Sequence, residues 1–399
     1  MDGGRWTMEG AMLRFLTAGE SHGPALTAIV EGLPAGLALA EGDLEPDLRR
    51  RQQGFGSGGR MRIEHDRARF LGGVLAGRTT GAPLALQIEN RDWANWRDRD
   101  VAPMTVPRPG HADLTGAIKY GYSELRLALE RASARETAAR VAVGAVCRRL
   151  LAEFGVTVGS YVVQIGGVAA SLVDDLAYAE RFRRAEENDV RCPDATAAAA
   201  MRARIREAMA GKDTLGGVFE VVALDLPPGL GSHVHWDRRL DARLMGAVGS
   251  IQAVKGVEIG PAFANAARRG SEVHDEIFVE DGRLARHTNR AGGFEGGITT
   301  GGPAVVRAAM KPISTTLAPL RSVDLATGEA AATRYERSDV CAVPRAAVVG
   351  EAMVAYVLAD ALLEKLGGDS LAEMQPRFEA LRRGTLDELE MDNVRWRFA

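Results

Sequence analysis

Ser133 to Gly155, SARETAARVAVGAVCRRLLAEFG, is the stretch whose reading decides the fold. Ser133 followed three residues later by Glu136 has the form of a capping box, in which a hydroxyl and a carboxylate satisfy the backbone N–H groups at a helix start. Ala138, Val141, Ala142, Ala145 and Val146 then recur at helical spacing, and Gly155 supplies a stop. Side chains this small predict close packing against a sheet or a second helix. That second helix is expected after Pro344, with Val348, Val349, Met353, Val357, Ala361 and Leu362 on one broad face and Gly367-Gly368 ending it. Ala195 to Ala210 and Arg239 to Gly249 make two more. Leu26 to Val30, Leu84 to Ile88 and Val218 to Leu224 have the apolar, β-branched character of strands. Strands and helices do not alternate strictly along the chain, so the class is α+β and not a doubly wound sheet.

Working outward, the 399 residues are 46% hydrophobic and 26% charged, enough apolar mass for a large core and enough charge for solubility. Fifty basic against fifty-three acidic side chains leave a formal charge of −3, which removes the global electrostatic argument for a nucleic-acid or membrane-surface protein. Cys147, Cys192 and Cys341 are odd in number, far apart and outside any CxxC spacing. They indicate neither a disulfide framework nor a zinc site, and a reducing cytoplasm fits them best. Phe154 to Val173 is charge-free over about the length of a membrane span, but its glycines and polar residues read as strands and a turn. Met1 to Gly10 lacks the apolar run of a signal peptide. A single domain over 12–399 is expected, with 1–11 as an N-terminal extension.

The 46 glycines cluster, and the clusters lie beside polar constellations. Thr17 to Gly23 (TAGESHG) is a glycine-flanked turn whose His22 reads either as a proton carrier under a ligand or as a solvent-facing residue of a capped turn. Arg49-Arg50-Arg51 leads through Gly54, Gly56, Gly58 and Gly59 to Arg60 and Arg62, a loop suited to phosphate and carboxylate oxygens or simply solvated. Phe55 alone interleaves it, which weakens a nucleic-acid reading. Arg108-Pro109-Gly110-His111-Ala112-Asp113 holds a histidine on stiff backbone, for positioning or as a structural turn. Lys311-Pro312-Ile313-Ser314-Thr315-Thr316 joins one cation to three hydroxyls; it is not a P-loop but can hold a phosphate. Arg337-Ser338-Asp339 taken alone is an ordinary Arg–Asp contact. His233 and His235 lack a third metal ligand, and with Trp236 suggest a strand-facing aromatic cluster instead. No metal site and no GxGxxG dinucleotide site is indicated.

AGESHG (18–23), RPGHAD (108–113), ERASARETAARVAVGA (130–145), GGFEGGITTGGP (292–303), AAMKPIST (308–315) and RSDVCAVPRA (337–346) resemble, in order, the chorismate synthase family. The resemblance covers the chain from about Met12 to near Gly367. It implies a lyase that converts 5-enolpyruvylshikimate 3-phosphate to chorismate and phosphate by 1,4-anti elimination. It also implies a requirement for reduced FMN, with NADPH as a candidate reductant, and a homotetramer with neither nucleic-acid nor membrane partners. The implied fold sandwiches helices between two four-stranded antiparallel sheets.

Carried over residue by residue, the resemblance assigns flavin contacts to Arg131, Ala132, Ser133, Gln252, Ala253, Gly296, Lys311, Pro312, Ile313, Ser314, Thr315 and Arg337. Substrate or NADPH contacts fall on Ser21, Arg51, Ser57, Arg60, Arg108 and Arg135; a substrate with one phosphate and two carboxylates calls for such a set of arginines. Asp339 is implied to work with flavin N5 as the base, His111 to protonate the departing phosphate, and His22 to protonate or hold the reduced flavin. Two departures stand out. Ser57 occupies a position where many members carry arginine, as in GYGRG, and the connection from Trp96 to Pro107 is short. The rival readings are a flavin-dependent lyase acting on another phosphorylated anion and a catalytically silent polyanion-binding homologue.

Overall fold

The computed structural model describes residues 12–58, 65–172, 176–336 and 338–398. The expected extension 1–11 and the candidate residues Arg60 and Arg337 lie outside them. Two antiparallel sheets carry the architecture. The first has the strand order Arg14–Ala18, Ala25–Glu31, Leu84–Glu89, Ala68–Gly72. Its register places Leu26 opposite Ile88, Ala28 opposite Leu86 and Val30 opposite Leu84. All six are buried on one face, as period-two alternation requires. The second sheet runs Val254–Ile259, Ala304–Met310, Gly217–Leu224, Thr157–Ile165, Val168–Ala169. It therefore has five strands where four were expected. The fifth is a two-residue ribbon turned back by Gly166 and Gly167, both at positive φ. The charge-free segment that begins at Phe154 is this hairpin, read correctly as strands and a turn.

Thr137–Ala152 packs against Val343–Leu366 and against the first sheet, while Val343–Leu366 packs against Thr157–Ile165 and Gly217–Leu224 of the second. The small residues of the first helix have the predicted consequence: a Cβ on Gly144 would stand 2.2 Å from the Cβ of Ala352. Gly350 likewise makes room for the Phe219 ring, whose edge would lie 2.7 Å from an added Cβ. Val343–Leu366 is long and apolar enough to cross a membrane, yet 94% of its most apolar window is buried inside the protein, so it is the central core helix. Each fully buried leucine along it contributes about 1.5–3 kcal/mol. Gly367, at φ 60°, ends it as the sequence indicates.

Two carboxylates in that helix are buried, Glu351 and Asp360, and Glu351 is the deeper. Glu351 accepts both terminal nitrogens of Arg50 at 2.7 Å, the Ser160 hydroxyl at 2.5 Å and Arg191 at 3.2 Å. Without such partners a buried charge would be strongly destabilising. Trp236 departs from its reading: it opens a 3-10 turn, Trp236–Arg238, and is 66% exposed, so no strand-facing aromatic cluster forms there.

Candidate active site

The turn at 19–23 is built by its glycines and by Asn90. Gly19 has φ 109°, and a Cβ on it would lie 2.3 Å from the Ala25 carbonyl oxygen. Asn90 Nδ2 donates to the carbonyls of Glu20, Ser21 and Gly23. The turn thereby presents His22 to Glu130. The His22 backbone N–H donates to Glu130 Oε2 at 2.7 Å, and Nδ1 lies 2.8 Å from Oε1. The Trp96 ring covers one face of the imidazole, centroids 4.0 Å apart. Burial works against the charged form of Glu130, but its bonds from His22 hold it below the usual carboxylate range. Ser21 is buried, and its hydroxyl accepts from Ser133 at 3.1 Å.

Ser133 ends the Arg126–Ala132 helix and caps a 3-10 turn, Ala134–Glu136, its hydroxyl accepting from the Arg135 N–H. The reciprocal half of the expected capping box does not form. Glu136 instead accepts from Thr17, Arg140 and Gln252, because its carboxylate faces across to the first strand. Arg135 and Arg51 converge on one buried acid, Asp66, at 2.6 and 3.1 Å. Arg51 also donates to Thr137 Oγ1 and the Ala134 carbonyl, and Arg135 to Asn90 Oδ1. Burial, helped by the nearby Arg135 and Arg345 cations, lowers Arg51 to about 10.

Arg108 and His111 meet on Asp113. Arg108 donates to the two carboxylate oxygens at 2.8 and 2.9 Å, and His111 Nδ1 stands 2.5 Å from Oδ1. Arg108 Nη2 also lies 3.0 Å from that Nδ1. Two lone pairs could not approach to 2.5 Å, so Nδ1 carries its proton toward Asp113 and Nε2 is left for chemistry. Burial raises Asp113 and these donors outweigh it, leaving the acid far below the usual range. Arg108 further donates to Thr315 Oγ1 at 3.1 Å, and a Cβ on Gly110 would stand 3.4 Å from both Lys311 Nζ and Ser314 Cβ. The RPGH turn and the KPIST loop, two hundred residues apart in the chain, thus form one corner. Pro312 accepts from Lys311 Nζ through its carbonyl, and the Ile313 carbonyl accepts from Thr214. Partial burial and Lys255 lower the Lys311 ammonium's pKa, which a bound anion would offset.

Asp339 accepts from Arg345 at 2.7 and 3.1 Å and from the Gly58 N–H at 2.7 Å. A Cβ on Gly58 would approach the Ser338 carbonyl oxygen to 2.7 Å, which is why the loop passes so near. Ser57 turns inward and donates to the Gly54 carbonyl. The expected Arg337–Asp339 contact lies outside the described residues, and the described partner is Arg345.

A cleft of about 480 Å³ opens between Thr17, Arg131, Glu136, Arg140, Ser250 and Gln252. Arg131 donates to the Thr17 carbonyl and hydroxyl. Gln252 gives its amide N–H to Glu136, and its buried Oε1 has no hydrogen-bond partner among the described residues. Ala253, at φ 66°, accepts from the Lys311 N–H at 2.9 Å and so joins the cleft to the KPIST corner. A flavin mononucleotide fits this donor set: an orphaned acceptor for a ring N–H, and a cation with two hydroxyls for the phosphate. Gly296 sits apart, in the turn between Phe294–Glu295 and Ile298–Thr299, beside His233. Asp66, Asn90, Glu130, Glu136 and Arg345 were not singled out for the site from the sequence. Each acts on a functional residue through a contact distant in the chain or, for Arg345, one turn into a helix. Asp113 alone gave a signal, two residues after His111.

Residues 13–363 match the family model described as Chorismate synthase. The chain is 55% identical over 384 residues to the chorismate synthase of Aquifex aeolicus, covering 92% of this chain and 96% of that one. It is 57% identical over 374 residues to that of Desulforudis audaxviator, covering 91% and 95%. A solved structure, "Crystal Structure of Chorismate Synthase", superposes with a TM-score of 0.76 at 48% identity, covering 92% of this chain and 96% of that chain. By sequence over nearly its whole length and by fold, the chain belongs to the chorismate synthase family.

Proposed function

We propose that the chain eliminates phosphate from 5-enolpyruvylshikimate 3-phosphate to give chorismate, closing the shikimate pathway to the aromatic amino acids, and that its cofactor is reduced FMN. The observation that carries the reading is the corner where Arg108, His111 and Asp113 meet the Lys311–Thr315 loop. An anion departing there meets an arginine, a lysine and an imidazole with its Nδ1 already committed. His111, entering the step as the imidazolium, gives its Nε2 proton to the leaving phosphate and keeps the Nδ1 proton on Asp113. Asp339, its plane fixed by Arg345, takes the proton from the ring carbon; the C–H pair forms one new double bond, the ring's existing double bond shifts along by one bond, and the C–O pair leaves with phosphate. Arg51, Arg135 and Arg108 hold the substrate anions, joined by Arg60 and Ser21. Arg131, Ala132, Ser133, Gln252, Ala253, Gly296, Lys311 to Thr315 and Arg337 would hold the flavin, with His22 beside it. When bound, the reduced flavin supplies electron density that weakens the bond to phosphate.

The same reading carries NADPH as a reductant near Arg51 and Ser57, a homotetramer, a cytoplasmic location and one domain over 12–399. It also carries the layered arrangement in which the two long helices lie between the sheets. Against a silent polyanion-binding homologue stand the two histidines, each backed by a carboxylate. The test is product analysis after anaerobic incubation with chemically reduced FMN. Chorismate forms from 5-enolpyruvylshikimate 3-phosphate, and shikimate 3-phosphate, which lacks the enolpyruvyl group, releases no phosphate. Phosphate release from the second substrate at the same rate would favour the lyase of different specificity.

A further inference from the structure

Glu130 lies on the Arg126–Ala132 helix, and among the described residues its carboxylate takes its hydrogen bonds from His22. The grip is double. One oxygen takes the His22 backbone N–H at 2.7 Å and the other stands 2.8 Å from Nδ1. The Glu130 carbonyl adds a third tie by accepting the Ser21 N–H at 3.1 Å, so helix and turn cannot shift independently. An ionised carboxylate only accepts, so the proton on this edge of the imidazole belongs to Nδ1. Trp96 covers a ring face, and the guanidiniums of Arg99 and Arg126 stand 5.3 and 5.9 Å from the Trp96 centroid on its own faces. Rotation of the imidazole would break the bond to Glu130 and the ring contact together.

We propose that Glu130 is a positioning residue that holds His22 as its Nδ1–H tautomer, so that Nε2 is the nitrogen offered to the bound reactants. The proposal rests on the reading of His22 as a residue of the reaction, and it deepens that reading by assigning the working atom and the group that selects it. His111 with Asp113 repeats the arrangement on a different element, so both histidines work from the same edge. Asp113 is the poorer place to test it, because Arg108 depends on the same carboxylate.

Glu130→Gln separates tautomer from fold. The amide keeps the shape but has one accepting oxygen where the carboxylate has two. With that oxygen on the His22 backbone N–H, the NH₂ group faces Nδ1, which must then accept; the proton leaves Nδ1 and Nε2 gains it. Solid-state 15N spectra of protein labelled in histidine, with His22 assigned by the signals lost in His22→Gln, read this directly. The parent is expected to show a protonated Nδ1, and Glu130→Gln a bare Nδ1 with the proton on Nε2. Turnover should fall by at least about 10²-fold, as expected when a histidine is held in the wrong tautomer, with the KM for substrate and the affinity for reduced flavin near those of the parent. A parent spectrum with a bare Nδ1 overturns the proposal without any variant. So does a Glu130→Gln protein that keeps either the parent tautomer or the parent turnover. A parent that makes no chorismate would instead sink the functional reading, whatever the spectra show.

Discussion

Arg345 holds both carboxylate oxygens of Asp339, at 2.7 and 3.1 Å, from six residues further along the chain. Arg345 sits in the first turn of the core helix Val343–Leu366, so the most deeply packed element of the protein fixes the plane of the candidate base. Asp339→Asn keeps the size of the side chain while removing its basicity. Turnover is expected to drop by ~10²–10⁴-fold, the usual worth of a positioned base, with flavin binding nearly intact. Arg345→Met should reproduce much of that loss by freeing the carboxylate. Equal turnover of Arg345→Met and parent in a steady-state assay would reduce the pair to a surface contact.

Asp66 serves two arginines at once, and its side chain is fully buried. Replacing it with asparagine leaves Arg51 and Arg135 sharing a neutral acceptor. A buried ion pair broken on one side costs about 3–5 kcal/mol. Urea unfolding should show a loss of this order, and the KM for substrate should rise because both guanidiniums lose their orientation. A variant as stable as the parent would mean that water or a neighbouring acceptor replaces the carboxylate.

Glu351 predicts the acid limb of stability. Burial opposes its charge, but Arg50, Arg148 and Arg191 together lower its pKa from 4.5 to about 2. A carboxyl depressed on folding stabilises the protein fully above its unfolded pKa and ceases to do so as the pH falls through the folded one. Its contribution, on the order of 3 kcal/mol, is therefore present above about pH 4.5 and disappears toward pH 2. Glu351→Gln should flatten the stability curve across that window and lower stability at neutral pH. Thermal melts between pH 2 and 6 measure both.

Periodicity was enough for the elements it named, and strands such as Arg14–Ala18, Val254–Ile259 and Ala304–Met310 were not among them. The helix after Pro344, the helix Ala195–Ala210 and the strands at 25–31, 84–89 and 217–224 lie within a residue or so of where spacing puts them. The second sheet's extra strand was legible only as part of a strand-and-turn segment, because two residues after a Gly-Gly turn carry no period of their own. At the site, glycine and histidine turns were visible because their backbone demands are local. The carboxylates that govern them, Asp113 apart, were not. Asp66 meets Arg135 across 69 residues and Glu130 meets His22 across 108, and no local pattern encodes such a pairing. Glu136 shows the opposite failure: its spacing from Ser133 fits a cap, but tertiary partners at Thr17 and Gln252 claim the side chain.

Ser57 donates to the Gly54 carbonyl inside the loop, where an arginine would reach outward. Ser57→Arg trades one neutral hydrogen bond, worth about 1 kcal/mol, for a charge-assisted one to a bound anion, worth roughly 1.5–3 kcal/mol. The KM for substrate or for NADPH should fall, while Arg51→Ala should raise it. Initial rates across both concentrations would show it; unchanged constants in both variants would mean that neither Arg51, buried in its helix, nor position 57 reaches a bound anion.

The central claim is that this site expels phosphate with the help of a reduced flavin that the reaction does not consume. Anaerobic phosphate release from 5-enolpyruvylshikimate 3-phosphate tests it most directly, with FMN supplied either chemically reduced or oxidised and in amounts far below the substrate. The account predicts many turnovers per reduced flavin and none with oxidised flavin alone. Equal rates in the two conditions, or phosphate release that stops after one equivalent of reduced flavin, would contradict it.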